Sequence, residues 1–509
     1  MYWLIALATY SPALYRPMNC DCSMWFRVAR DWGRGLKLYE ETYDNKQPTT
    51  FMLLRLIDCP QPKLSLYLAH SLLAAGGALA LRSALLRTLP AGAGVAPILL
   101  LVWSGSGATG PVTQTVESVA LWFDVLAFSC FVMAIRRQSW FRMLLGGISF
   151  FLMVSFRIPA LAQGLAYLPM VYLLFQTRPP RKAVFLLSGF LAGIGLALAA
   201  LWIHGEIEGY WHPFLQMLWR NFFTYGSLAR VPLTQSLPLA MVALRGILLG
   251  NTAMVVLVAI TLVTFLARFR QLRRMERVWA LACLFWLVGA LAGTLPGGRH
   301  FLHYYHLIWT PLSILSVLWL SQIRTAGGSA NHAGQIAWGI AVGVLALGMG
   351  NNLNHWWQWR NAARSGTDPV ACIEQAAAYL QSATPAEMVV PVCVWSRWAE
   401  LYWRVPRPAM ANCAIPCCFP LINPPVFRKW VDAMTRSKPP LVVVDGTFLR
   451  APLARTALYI VEAEDMQRRA GLQRMIDQEY REIRHFDMAD TGGKLSVLAR
   501  KGGPYDSGE

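Results

Sequence analysis

Long apolar runs recur along the first 352 positions of this 509-residue chain, and no other feature constrains its fold so strongly. A helix of about 20 apolar residues matches the ~30 Å hydrocarbon core of a bilayer. Inside lipid the backbone must satisfy its own hydrogen bonds, so such runs read as helices. They predict eleven spans, at approximately 2–15, 64–86, 92–104, 117–135, 143–156, 158–176, 183–203, 250–267, 278–295, 305–321 and 335–352. A soluble chain of this length would hold two or three domains. With only 14% of residues charged and a mean hydropathy of +0.39, that class is excluded.

The formal net charge of +19 suggests nucleic acid until its distribution is read. Arg82 and Arg87; Arg136, Arg137 and Arg142; Arg178, Arg181 and Lys182; Arg268, Arg270, Arg273, Arg274 and Arg277; and Arg324 all fall at alternate short connections. The interleaved short connections hold almost none: 105–116 is empty, one turn carries Arg157 and 296–304 carries only Arg299. Basic short loops stay cytoplasmic, so the pattern predicts an inner amino terminus and an outer carboxy-terminal segment from 353 to 509. The charge thus follows the membrane, and no nucleic-acid partner is expected. The first run lacks a basic flank and a small-residue cleavage site, so it reads as an uncleaved span.

Ten cysteines follow the same map. Cys130 and Cys283 lie inside spans, whereas Cys20, Cys22, Cys59, Cys372, Cys393, Cys413, Cys417 and Cys418 fall on the outer side, where disulfides persist. The spacing of Cys413, Cys417 and Cys418 matches no standard zinc pattern.

Three outer segments are substantial. Residues 16–63 carry the helical-looking run "SMWFRVARDWGRGLKLYEE", and 204–249 carry the aromatic run "GYWHPFLQMLWRNFFTYG", suited to a membrane interface. From 353 the composition becomes that of a soluble α/β domain. Helices are expected in "DPVACIEQAAAYLQSA" and "FRKWVDAMTRS", strands in "EMVVPVCVW", "PPLVVVDG" and "LSVLAR", and "EYREIRHF" fits a strand or a helix end. The tail "KGGPYDSGE" is expected to be disordered.

Asp21, just past the first span, reads either as a helix cap or solvated loop acid, or as a general base at the membrane surface. "DNKQP" places Asp44 and Lys46 before a helix-stopping proline, so Lys46 is able to hold a lipid phosphate while Asp44 orients it; a salt-bridged loop explains the same residues. "LPGGRHFLHYYH" sets Arg299 at an outer boundary otherwise stripped of cations, which makes it an anion-ligand candidate. His300, His303 and His306 recur at steps of three, spread over about 120° of an α-helix. They are candidates for a phosphate, a metal or interfacial packing. Glu117, near the outer end of its span, is able to face a cavity, while Asp124 is assigned a structural place.

Taken in order, the acid at Asp21, "LYEETYDNKQP" and "GGRHFLHYYHL" resemble the GT-C membrane glycosyltransferases, particularly bacterial enzymes related to protein mannosyltransferases and lipid A aminoarabinose transferases. In that family the first loop reads Asp-Glu, an Ala- and Gly-containing helix, a Tyr, and Asp-x-Lys-Pro-Pro. Asp21, Ala29, Gly35, Tyr39, Asp44, Lys46 and Pro48 match it, whereas Cys22 replaces the second acid and Gln47 the first proline. Arg299, His303 and Tyr304 are similar to a late Gly-Arg-aromatic signature, and "SRWAELYWRVPRP" resembles a Tyr-containing region of the outer domain.

The resemblance implies an all-α polytopic membrane domain over 1–352 with a small extracytoplasmic α/β domain over 353–509, set in a bacterial inner membrane. It implies a polyprenyl-phosphate-linked sugar donor and a glycan, lipid or protein acceptor. Asp21 is then the catalytic base, Lys46, Arg299, His303 and Tyr304 bind the donor phosphate, and Asp44, Tyr39 and Glu117 support them. No cofactor is expected, and the missing second acid argues against a metal. The alternatives are a transporter or flippase of lipid-linked sugars, an O-antigen ligase or polymerase, and a non-catalytic assembly subunit of the same fold. A transporter calls for matched Gly/Pro-interrupted spans in two halves, and none is evident.

Overall fold

A computed structural model describes residues 1–16, 18–86, 88–90, 92–105, 114–220, 232–249, 251–268, 272–295, 300, 302–318, 330–365, 368–385, 387–394, 398, 400–405, 424–445, 463–488 and 493–506. Five helices among these are long and apolar enough to cross a membrane: Pro62–Leu86, Val116–Arg137, Ile158–Thr177, Pro180–Ile207 and Arg274–Ala292. They coincide with five of the eleven expected spans. Of the other six, five correspond to shorter or broken helices and one to part of a longer helix. The run at 2–15 is divided into Tyr2–Tyr10 and Pro12–Tyr15, since Pro12 suits a first turn better than an interior. The run at 92–104 holds the ten-residue helix Ala96–Gly105, and 143–156 lies in Trp140–Phe156. The run at 335–352 sits inside Ala330–Arg364, which continues through position 353. One apolar helix, Leu233–Leu249, falls where the sequence suggests only an outer loop. Its interior Pro238 and the polar residues of its first turn hide it from a hydropathy window.

The chain divides into two compact units. The first comprises Met1–Leu14, Leu64–His204 and Arg230–His355. Its centre is a helical hairpin. Val116–Arg137 begins at Thr115, whose side chain accepts from the Ser118 amide, and ends at Gln138 in the left-handed region (φ 51°). Ser139 then caps Trp140–Phe156, accepting from the Arg142 amide. The two-residue turn fixes the helices antiparallel. The start of the first and the end of the second therefore share one end, opposite Arg136, Arg137 and Arg142.

Helix Pro180–Ile207 packs closely along Trp140–Phe156. A Cβ placed on Gly147 would overlap the Phe190 carbonyl, and one on Gly193 the Leu144 carbonyl. Glycine at both crossing points lets the backbones approach as apolar helices do in lipid. The apolar window of Val116–Arg137 is 78% buried, that of Pro180–Ile207 only 22%. The latter exposes Val184, Phe185, Leu191 and Leu196, the surface of a helix solvated by lipid. Polar side chains close the ends. Asn352 Nδ2 donates to the carbonyls of Ala8 and Thr9 (both 2.9 Å), and Tyr67 Oη donates to Leu7 O (2.6 Å).

The second unit joins the first outer loop, Tyr15–Lys63, to Gly205–Ala229 and to Trp356–Glu509. Its sheet has the order β1-β2-β4-β3, with β1 Val392–Cys393, β2 Leu441–Asp445, β3 Tyr480–Met488 and β4 Gly493–Arg500. β1 is parallel to β2, and the other pairs are antiparallel. Leu495, Val497 and Ala499 turn inward at alternate positions of β4, the two-residue period of a strand with one covered face. "EMVVPVCVW" yields only two strand residues, because Pro391 has no amide for a ladder. "EYREIRHF" is a strand, preceded by helix Ala463–Glu479, whose few buried apolar residues (Leu472, Met475, Ile476) left little periodicity to read. The tail departs from expectation. Residues 501–506 turn back on the sheet, with Arg481 paired to Asp506 and Gly503 N donating to Arg500 O (3.0 Å).

One buried carboxylate links the loop to the carboxy-terminal segment within this unit. Glu400, fully inaccessible, accepts from Met18 N (2.5 Å) and Arg404 Nε (3.0 Å), with Lys63 Nζ 3.4 Å away. Arg30 adds a forked pair to Asp58 (3.1 and 2.7 Å) and donates to Trp403 O (2.9 Å), while Arg27 pairs with buried Asp31 (2.6 Å).

Candidate active site

Helix Cys20–Gly33 presents Asp21 in its first turn. Asn19 caps the helix by accepting from the Asp21 amide (3.3 Å), and the positive end of the helix dipole favours the Asp21 carboxylate. Asp21 is half-buried, whereas its neighbours Cys22, Ser23 and Met24 face the core. Burial, then the Asp21 charge, pushes the Cys22 thiol well above its usual range, so Cys22 adds no second anion beside Asp21.

The loop from 34 to 47 folds back over this helix. Gly35 (φ 99°) and Tyr39 (φ 69°) both take left-handed backbone, rare for a side chain such as tyrosine. Tyr39 is held there by its surroundings. Its amide donates to Thr42 O (2.8 Å), its hydroxyl to Lys46 O (2.7 Å), and its ring packs against Tyr43, Phe51, Tyr210 and Phe214. Tyr39 thus positions the backbone of Lys46. Lys46 Nζ lies 5.2 Å from the centroid of the Trp25 ring, one helical turn beyond Asp21, a cation–π contact worth about 0.5–1 kcal/mol.

Asp44 is buried between these elements. The amides of Asn45 and Lys46 donate to its carboxylate, yet Oδ1 has no hydrogen-bond partner. Burial pushes the Asp44 carboxyl up to about 6, the Lys46 ammonium opposes the shift, and the Asp21 charge adds to it. The second unit therefore brings together Asp21, Tyr39, Asp44 and Lys46: two neighbouring carboxyl groups of unequal burial beside one cation. A perturbed carboxyl beside an accessible one is the arrangement by which proteins separate the proton affinities of two acids. Trp25 completes the group; its spacing from Asp21 is readable in the sequence, its contact with Lys46 is not.

Other candidates fall in the first unit. Glu117 occupies the first turn of Val116–Arg137 and lies 3.1 Å from Arg157 Nη1, both side chains being buried. The Arg157 guanidinium carbon stands 4.7 Å from the Tyr304 ring centroid, and Tyr304 meets the His303 ring edge-on at 4.7 Å. Leu302–Ile308 is a 3₁₀ helix rather than an α-helix, so at three residues per turn His303 and His306 stack on one line. His300 lies before it, bonded to Ser236 Oγ (2.9 Å) and Tyr305 Oη (2.7 Å), which suits a structural place. Asp124 accepts from Trp286 Nε1 (2.7 Å) within the helices, also a structural contact. Arg299 lies outside the described residues, as do Cys413, Cys417 and Cys418. Among the described residues, Cys22, Cys59, Cys130 and Cys283 are free thiols. Among the described residues no three His, Cys, Asp or Glu side chains gather as metal ligands.

No family model matches this sequence, and no curated protein does. Among solved structures, the apo crystal structure of the Archaeoglobus fulgidus oligosaccharyltransferase is similar at a TM-score of 0.44 and 12% identity, over 88% of this chain and 69% of that one.

Proposed function

We propose that this chain is an integral-membrane glycosyltransferase that moves a sugar from a polyprenyl-phosphate donor to an extracytoplasmic acceptor. The observation that carries the reading is the cluster in the second unit. An accessible carboxylate at a helix start, Asp21, shares its surroundings with a buried carboxyl, Asp44, and with a cation held over an aromatic ring, Lys46.

In the proposed reaction an acceptor hydroxyl or amine attacks the anomeric carbon. The new bond forms as the bond from that carbon to the phosphate oxygen breaks. The leaving polyprenyl phosphate takes the electron pair, and Asp21 takes the acceptor's proton. Lys46 meets the charge that grows on the phosphate, and Asp44 fixes the ammonium through its own charge. His303, Tyr304 and Arg299 keep the phosphate-binding role implied by the family resemblance. The membrane helices supply the lipid-soluble surroundings that a prenyl chain requires.

The test is reconstitution of the purified protein in lipid nanodiscs with a polyprenyl-phosphate sugar, scored by release of polyprenyl phosphate. The glycolipid profile of a deletion strain identifies sugar and acceptor. Release above an empty-nanodisc control, together with one missing glycoform, is the expected result. Neither change, across pentose and hexose donors, refutes the reading.

A further inference from the structure

Arg157 closes the helix Trp140–Phe156, its amide donating to Met153 O (3.1 Å) and its backbone extended (φ −149°, ψ 100°). The hairpin turn places it beside the start of Val116–Arg137, where Glu117 sits. Its guanidinium is buried, with 7% of the side chain exposed. The two N–H donors of Nη1 are thereby removed from solvent. Nη1 approaches Glu117 Oε1 to 3.1 Å, but the alignment falls outside hydrogen-bond geometry, so Nη1 remains an unsatisfied buried donor. The Tyr304 ring covers a face of the guanidinium at 4.7 Å and offers no lone pair to its N–H groups.

A buried Nη1 facing one misaligned carboxylate is costly, because an unpaired donor forfeits its hydration. Two acceptor oxygens set in the guanidinium plane would relieve that cost, which is the geometry of a phosphate or carboxylate. Carboxylate is already represented by Glu117. Tyr304 and His303, both half-buried, border the site and have donors suited to further anion oxygens.

We infer that Arg157 is the principal ligand of an anion site in the first unit, that its ligand is a phosphate monoester or diester group, and that Glu117 is the competing internal anion. The phosphate class rests on the proposed lipid-phosphate chemistry; the site itself rests on the unsatisfied guanidinium. On binding, phosphate oxygens take the Arg157 donors and the pair with Glu117 loosens. Glu117 is a positioning residue, holding the guanidinium in place while the site is empty and weakening affinity through its charge.

Binding, not turnover, provides the test. Affinities of the full-length protein in nanodiscs are measured for polyprenyl phosphate and for inorganic phosphate by intrinsic tryptophan fluorescence. Arg157→Gln should weaken binding at least ~30-fold, the loss typical of removing one partner from a desolvated charge pair. Glu117→Gln should tighten it about tenfold, a sign opposite to that of a purely structural ion pair. The double variant Glu117→Gln/Arg157→Gln leaves no buried unpaired charge and serves as the folded control; it should bind as weakly as Arg157→Gln. Binding of both ligands identifies a site reading phosphate alone, and binding of the lipid only identifies a headgroup site; either supports the inference. Asp21→Asn should leave these affinities unchanged, so failure of the transfer reaction and failure of this site are separable. Affinity unchanged in the folded double variant, or weakened by Glu117→Gln, overturns it.

Discussion

Asp44→Asn isolates the least comfortable group in the candidate site. Burial raises the Asp44 carboxyl from 3.8 to about 6, against the opposing charge of Lys46. That rise corresponds to ~3 kcal/mol of preference for the neutral acid in the folded protein. The sign follows from linkage. An acid whose folded-state affinity for the proton exceeds its unfolded value favours folding below about pH 4, and that contribution is lost as pH rises through about 6. Near pH 7.5 the ionised Asp44 therefore costs the fold up to ~3 kcal/mol. Asparagine keeps the size and the carbonyl acceptor for the Asn45 and Lys46 amides and removes the charge. Denaturant unfolding of the solubilised protein from pH 4 to 8 should show wild type losing stability across the window. Asp44→Asn should be flat there and about 2–3 kcal/mol more stable at pH 7.5. A variant that is less stable than wild type at pH 7.5 would show that Lys46 over-compensates the burial, and would refute the ordering of causes.

Glu400→Ala should destabilise the second unit by ~3–5 kcal/mol, since it strands the Met18 amide and leaves Lys63 and Arg404 without their shared carboxylate; thermal unfolding and proteolysis at the first loop report it. Glu400→Gln, which retains the acceptor, should cost less than half as much. Gly147→Val should lower the melting temperature by an amount equivalent to ~1–3 kcal/mol or more, because the added carbons meet the Phe190 carbonyl, while Gly195→Ala, facing open space, should be near neutral. A phosphatase reporter fused after Asn354 should be active and a fluorescent protein that folds only in the cytoplasm should be dark there, as the charge pattern of the short loops requires.

How far the sequence carried these conclusions depends on the element. Period and composition were enough for Pro62–Leu86 and Pro180–Ile207, whose length and uniform hydropathy leave one reading. They were enough for the carboxy-terminal helix Pro369–Ala383, announced by Asp368 and Pro369 at its start. Leu233–Leu249 escaped because Pro238 interrupts its first turns, and Ala463–Glu479 because its apolar stripe is thin beneath its charge. The site was legible residue by residue: Asp21, Tyr39, Asp44 and Lys46 stand out as charges and punctuation within 26 consecutive positions. Their inequality was not. That Asp44 is buried and Asp21 accessible depends on the left-handed turn at Tyr39 and on packing by Phe51 and Phe214 from other segments. In the sequence Arg157 stands only as an exception to the charge alternation of the short loops. Its neighbours Glu117 and Tyr304 are separated from it by 40 and 147 positions, and a hairpin and a 3₁₀ turn are needed to assemble them.

Whether Asp21 accepts the proton in a transfer reaction is decided by Asp21→Asn in purified, folded protein. The substitution preserves size and leaves the Asn19 cap in place while removing the proton acceptor. Sugar transfer from a polyprenyl-phosphate donor should fall by the ~10²–10⁴ typical of a lost general base, with donor affinity little changed. Transfer by Asp21→Asn at a rate near that of wild type would exclude Asp21 as the base and move that role to Asp44, Glu40 or Glu117.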